Sequence, residues 1–388
     1  MGAVTPETGG SWQQRLYRPA GVDAMRVLAV GLVGWLHIWQ QSWVGAGRFT
    51  YLARTGGVWV DMMILLSSFC LFLPYAHARA QGAAFPGTQG FYTRRLVRLA
   101  PSVWAFTLIQ LFFFILPDQG FSPSLALDLA ANLTFTRGWF SKVFRYSAFN
   151  GVVWTLGVLA VFYVLFPLLA RAAWRRPAAV CAMLAAGQAL YTLWALRLPD
   201  GLYGLAFNRM PAFLGVWALG LAAAWAVAYW GPLLRRAGAW LAGAAGLAAL
   251  WGACLLLKHS MSASPAPQRW QLAWRMPLCG LFCLALAGLC MAPPLPGRRA
   301  LRFLAGITMN FYLWHQALAV WLKYRWRIPA WQGDTPPNQL GDAAWMGRYN
   351  ALCWGVALAA ALAGTYLVEK PAARWLKKRA ARRRQPAH

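Results

Sequence analysis

Acidic side chains are nearly missing from this chain. Nine Asp and Glu stand against 37 Lys and Arg, and residues of either charge make up only 12% of 388. A soluble domain carries about twice that charged share, so an ordinary water-soluble fold is excluded. Cysteine is sparse and unpatterned. Positions 70, 181, 254, 279, 283, 290 and 353 all fall in apolar stretches, with no C-x-x-C spacing. Cys279 and Cys283 share a helix face, but no nearby His or carboxylate completes a metal set. The cysteines read as small buried hydrophobes, and no metal is expected. There is no glycine-rich phosphate loop followed by Lys, no G-x-S-x-G elbow and no internal repeat. P-loop and α/β-hydrolase chemistry are therefore set aside.

What the chain has is apolar length. It is 60% hydrophobic, and runs of about 20 residues match the hydrocarbon thickness of a bilayer. Ten spans are expected, near 22–42, 57–77, 96–117, 151–170, 178–197, 210–230, 239–257, 274–292, 303–325 and 349–368. The fold class is all-α, a polytopic integral membrane protein. Residues 1–21 read as a flexible cytoplasmic tail, 22–370 as one transmembrane domain and 371–388 as a basic cytoplasmic tail. The first span is too long, and lacks a small-residue cleavage site, for a cleaved signal peptide.

The formal charge of +28 suggests nucleic acid until its distribution is read. With the N-terminus inside, the inner segments hold 22 Lys/Arg and the longer outer ones 14. The positive-inside rule then puts both termini in the cytoplasm. The run "KKRAARRR" at 377–384 reads as an anchor on anionic lipid. No nucleic-acid partner is expected.

Five acidic residues (Asp118, Asp128, Asp200, Asp334, Asp342) fall in outer loops and Glu7 in the tail. Asp23, Asp61 and Glu369 remain in or at the membrane, where ionisable groups are functional candidates by default. Arg26 and His37, in "MRVLAVGLVGWLH", are close to three helical turns apart on one face, roughly 16 Å along the axis. The second span runs the other way, so Asp61 is expected at the depth of His37. There it would hold the imidazole tautomer. Glu369 is expected at the level of Arg26. His315, mid-way along the ninth span, is either a second catalytic group or an interhelical hydrogen-bond donor; the structural role is favoured. Arg94, Arg95 and Arg98 join Arg26 in a cationic cluster at the inner face, suited to phosphate or simply a positive-inside loop. The outer segment 118–150 holds Phe121, Phe135, Trp139, Phe140, Phe144, Tyr146 and Phe149. These are either stacking faces for an acceptor such as a sugar or interface anchors.

Seven pieces, in order along the chain, resemble the membrane-bound acyltransferase family 3 proteins, which O-acylate exported carbohydrates and some small molecules. They are "GVDAMRVLAVGLVGWLHIW", "GGVWVDMMILLSSFCLFLPY" (Asp61 and Ser67), "FYTRRLVRLAPSVW" (Arg95, Arg98 and Pro101), "NGVVWTLGVLAVFYVLFPLL" (Trp154, Phe162, Tyr163 and Pro167), "NRMPAFLGVWALG", "TMNFYLWHQAL" and "YLVEKPAARWL". Two departures stand out. A glutamate usual in the fourth-helix motif is replaced at Leu159 or Ala160, and a usual Ser-Gly reads Ser67-Ser68.

The resemblance implies a cytoplasmic donor, acetyl-CoA or another acyl-CoA, and an outward-facing carbohydrate or glycolipid acceptor. It also implies a bacterial cytoplasmic (inner) membrane. On that reading Arg26, Arg94, Arg95 and Arg98 bind the donor's phosphates. His37 is general base or acyl relay, oriented by Asp61. Asp23, Ser67, Trp154, Tyr163, His315 and Glu369 are further candidates. The competing readings are a proton-coupled transporter using Arg26, His37 and Asp61 and a non-catalytic membrane scaffold.

Overall fold

The computed structural model describes residues 19–140, 146–149, 151–234, 236–293 and 297–382. Most of the expected N-terminal tail, the end of the basic C-terminal run and Phe144 lie outside the described residues. Within them the chain is helical, with no strand. The helices used below are α1 Ala20–Ser42, α2 Trp59–Ala80, α3 Phe91–Gln110, α4 Pro123–Leu133, α5 Trp154–Arg175 and α6 Pro177–Ala195. They continue as α7 Leu214–Trp230, α8 Arg236–Leu256, α9 Pro267–Met291, α10 Arg298–Val320, α11 Ala343–Ala363 and α12 Lys370–Arg382. Several run on through π-helical turns, among them Gly364–Glu369 after α11.

Nine of these helical segments are, among the described residues, long and apolar enough to cross a membrane. The expected ninth span corresponds to α10, which is long enough but less apolar. It starts with Arg298, Arg299 and Arg302 and carries Thr308, Asn310 and His315 into the bundle, all three buried. With α10 counted, the candidate crossings among the described residues number ten, and the start of α1 and the end of α11 then share a side. The exterior is that of a protein solvated by lipid. Phe112, Phe113, Leu168, Leu190 and Trp251 are exposed, whereas Asp61, Arg275 and His315 are buried. Water would reject the first group and hydrocarbon the second.

Close packing depends on small residues where helices meet, as is usual in bilayers. A Cβ on Gly220 of α7 would strike the Leu65 carbonyl and lie 2.6 Å from Ser68 Cβ on α2. Ser68 donates its hydroxyl to the Trp217 carbonyl at 2.6 Å. The Ser67-Ser68 departure is thus absorbed by a glycine on the facing helix. The segment between α1 and α2 does not stay at the surface. It folds into short turns, Gly47–Phe49, Thr50–Arg54 and Gly56–Val58, and descends along α1. There Gly56 abuts the Leu32 carbonyl and Leu36 too closely for any Cβ.

The C-terminal basic segment expected as a tail is helical in its described part, α12.

Candidate active site

A cavity of about 390 Å³ lies between α1, α2, α3, α5 and α10. Helical periodicity decides which residues line it. On α2 most of the lining follows a stripe spaced by three and four, Val60, Met63, Ile64, Ser67, Cys70 and Pro74, with Leu66 and Leu73 at its edge. On α1 the wall residues are Val22, Arg26 and Val30; on α10, Ala305, Gly306, Thr308, Met309 and Tyr312. Arg26, Arg95, Arg98 and Glu369 mark its inner part.

Glu369 is held from α10. Asn310 Nδ2 donates to Glu369 Oε2 and to Thr365 Oγ1, both at 3.0 Å. The π turn Gly364–Glu369 makes this possible by bringing its backbone against Asn310. A Cβ on Gly364 would lie 2.7 Å from Asn310 Oδ1. The cavity therefore has a carboxylate although α5 places Thr155, Leu156, Leu159 and Tyr163, none of them acidic, at its wall.

Above Tyr312 the α10 stripe continues, one turn on, to His315. This residue is fully buried, and its Nε2 stands 2.8 Å from Nδ1 of His37 on α1. The network assigns the tautomers. His315 Nδ1 lies 3.1 Å from the Phe311 carbonyl, which can only accept, so that nitrogen carries the proton. Its Nε2 is then an acceptor, and His37 Nδ1 must donate to it. His37 Nε2 is left with its lone pair, the state required of a base. Tyr312 separates this pair from the cavity. Its ring is 5.8 Å from that of His315, and its hydroxyl donates to the Val152 carbonyl at 3.0 Å beside Thr155 Oγ1, also at 3.0 Å.

The expected Asp61–His37 pair is not formed. Because the chain descends along α1 before α2 begins, Gly56 is already level with Leu32 and Leu36, below His37. Asp61 lies about 7 Å further in along a helical rise of 1.5 Å per residue. It also points the wrong way. Asp61, Leu65 and Ser68 share the face turned to α7 and α9, away from the stripe that lines the cavity. Its partners are Gln271 and Arg275, four apart on one face of α9. Gln271 Nε2 and Arg275 Nε donate to Asp61 Oδ2 at 3.1 and 3.0 Å. Arg275 Nη1 also donates to the carbonyls of Phe207 and Ala212 at 3.3 and 3.1 Å. The rings of Phe207 and Phe213 stand 4.5 and 4.2 Å from its guanidinium carbon. The pair is sealed, and it fastens α2 to α9.

Among the cationic candidates, Arg94 is not on the cavity wall. It lies in the first turn of α3 and donates back to the Gln89 carbonyl at 2.8 Å. Arg95 packs over Phe91 and Tyr163, 5.5 and 5.6 Å from their ring centres, and Tyr163 itself lines the cavity. Arg26 Nη2 reaches Cys70 Sγ at 3.7 Å. Ser67 lines the wall but gives its hydroxyl to the Met63 carbonyl at 3.0 Å. Asp23 is buried in the first turn of α1, and Trp154 packs 6.0 Å from the Phe213 ring; neither is a wall residue. Arg275 was the residue missed by sequence reasoning. Its signal was a lone arginine just inside an apolar span, opposite an equally lone carboxylate.

On the outer side α4 anchors the long loop. Asp128 accepts from Ser147 Oγ at 2.7 Å, the Ala148 amide at 2.8 Å and Asn132 Nδ2 at 2.9 Å. Arg137 donates to the Phe149 carbonyl at 3.2 Å. Burial lowers the Arg137 pKa from its ordinary value, and Asp128 opposes that shift. Phe149 is buried by this framework, while Phe121, Trp139, Phe140 and Tyr146 remain exposed.

No curated protein and no solved structure matches the chain. A family model described as an acyltransferase domain, that of acyltransferase family 3, matches residues 20–370, a range that holds His37, His315 and every wall residue of the cavity except Pro19. The chain belongs to that family and is a membrane acyltransferase.

Proposed function

We propose that the protein transfers an acyl group from cytoplasmic acyl-CoA, acetyl-CoA in the simplest case, to a hydroxyl of an exported carbohydrate or glycolipid at the outer side of a bacterial inner membrane. The observation that carries this reading is the alignment of one cavity with two chemistries. Arg26, Arg95 and Arg98 stand at its inner part, and the His37–His315 pair stands one turn beyond its Tyr312 wall. Arginine forks suit the donor's phosphates, and the apolar wall between suits an extended thioester arm. Binding the charged end inside leaves only the neutral acyl group to travel outward.

His37 Nε2 takes the proton of the acceptor hydroxyl as its oxygen attacks the thioester carbonyl. The tetrahedral intermediate collapses by breaking the C–S bond, and the imidazolium returns the proton to the departing thiolate. His315 acts through His37, holding the tautomer whose Nε2 can accept. In the relay variant, His37 Nε2 attacks the thioester carbonyl and the C–S bond breaks to release the thiolate; the acceptor hydroxyl then attacks the acyl-imidazole, the N–C bond breaks, and the hydroxyl proton passes to the thiolate. The exposed aromatics of the outer loop offer stacking faces to a sugar ring.

The test is to supply radiolabelled acetyl-CoA to the cytoplasmic face of membranes holding matched, folded amounts of wild type and His37→Ala. Label in an outward-facing acceptor with wild type alone is expected. Equal labelling by both would remove His37 from the chemistry, and failure of wild type to bind any acyl-CoA would overturn the donor assignment.

A further inference from the structure

A second and larger concavity, of about 800 Å³, shares no wall residue with the first. It lies among the inner ends of α2, α6, α7, α8 and α9, beside the short basic segment that separates α5 from α6. Its volume is within the roughly 300–1,000 Å³ of small-ligand sites. The wall is apolar, with Cys181, Ala222, Trp225, Tyr229 and Leu284 on it and a single cation, Arg79. Tyr229 and Leu284 are exposed, so the groove opens sideways towards hydrocarbon.

Arg79 is out of keeping with that wall. Its guanidinium carbon packs 5.5 Å from the centre of the Trp225 ring. Its Nη1 is buried and has no hydrogen-bond partner among the described residues. A buried N–H without an acceptor is costly, and a guanidinium without a counter-anion more so. An acceptor that brings negative charge to the inner membrane level, on a body that fills an apolar groove, answers both defects at once. Anionic lipids of the cytoplasmic leaflet have this chemistry. The planar fork of arginine matches phosphate oxygens, and Trp and Tyr favour the headgroup level.

We propose that this groove binds an anionic glycerophospholipid of the cytoplasmic leaflet. One acyl chain lies along the apolar wall and the phosphate meets Arg79. The lipid bridges five helix ends and touches no wall residue of the acyl-transfer cavity.

The test is native mass spectrometry of the full-length protein in detergent, titrated with phosphatidylglycerol, phosphatidylcholine or inorganic phosphate. Wild type is expected to take up phosphatidylglycerol at about tenfold lower concentration than phosphatidylcholine, as a charge-assisted hydrogen bond warrants. Arg79→Gln should erase that preference while keeping the weaker uptake of both, and Arg79→Lys should retain part of it. Ala222→Phe, which fills the groove from an exposed position, should lose both lipids. Equal binding of the two lipids by wild type, or an unchanged preference in Arg79→Gln, would overturn the proposal. So would displacement of the lipid by inorganic phosphate, which marks a free-anion site. If Arg79→Gln does not fold, Ala222→Phe decides: retained phosphatidylglycerol uptake in that variant overturns the groove.

Discussion

Replacing Asp61 by Asn separates a structural carboxylate from a catalytic one. Arg275 is fully buried, and its Nε donates to an Asp61 that is 1% exposed. Asn keeps the shape but leaves the guanidinium charge without its counter-anion. Breaking a buried pair from one side costs about 3–5 kcal/mol. Arg275→Met should cost at least as much, because it also strips donors from the Phe207 and Ala212 carbonyls. Removing both charges in Asp61→Leu/Arg275→Met should recover a large part of the loss, since an apolar replacement of a buried pair is often close to neutral. Recovery will be incomplete, as Gln271 loses its acceptor, which costs about 1–3 kcal/mol. The assay is unfolding by denaturant in micelles, followed through the 24 tryptophans, with acyl transfer measured on the folded fraction. Single variants less stable by several kcal/mol are expected, with a coupling of the same order in the cycle of Asp61→Leu, Arg275→Met and their double variant. An Asp61→Asn protein of unchanged stability that has lost acyl transfer would refute the reasoning and return Asp61 to the chemistry.

His315→Leu removes the acceptor that orients His37, and should lower acyl transfer by about 10²–10⁴-fold, the range of general-base catalysis. The double variant with His37→Ala should fall no further, because the two rings act as a unit; multiplied losses in single-turnover rates would show independent roles. Arg98→Gln should raise the KM for acyl-CoA about tenfold or more, the worth of a charge-assisted hydrogen bond. Arg94→Gln, whose guanidinium turns back onto Gln89, should barely change it; the reverse ranking in initial-rate kinetics would overturn the phosphate assignment. Gly364→Ala should displace Asn310 and with it Glu369, destabilising the protein by about 1–3 kcal/mol as an overpacked core site does. A thermal midpoint equal to that of wild type would show that the π turn relaxes freely.

The sequence by itself determined the class of molecule. Scarce acidic residues and repeated 20-residue apolar runs leave only helices that satisfy their backbone internally in a bilayer, and the bias of Lys and Arg predicts which way they run. It also marked Arg26 and His37 as one face of one helix, because eleven residues is close to three turns. Asp61 and Ser67 are six apart, about 240° around a helix, and that spacing alone does not exclude a shared cavity, since Val60 and Leu66 both line this one. Only the tertiary structure decided the partners. How far the chain descends between α1 and α2 depends on Gly56 meeting Leu32, a contact between helices that no spacing along one helix encodes. That descent sets Asp61 below His37 and hands it to Arg275, 214 residues away. The same assembly brings His315, 278 residues on, to His37. In a bilayer each polar side chain must find a polar partner, but which partner it finds is a property of how the helices pack.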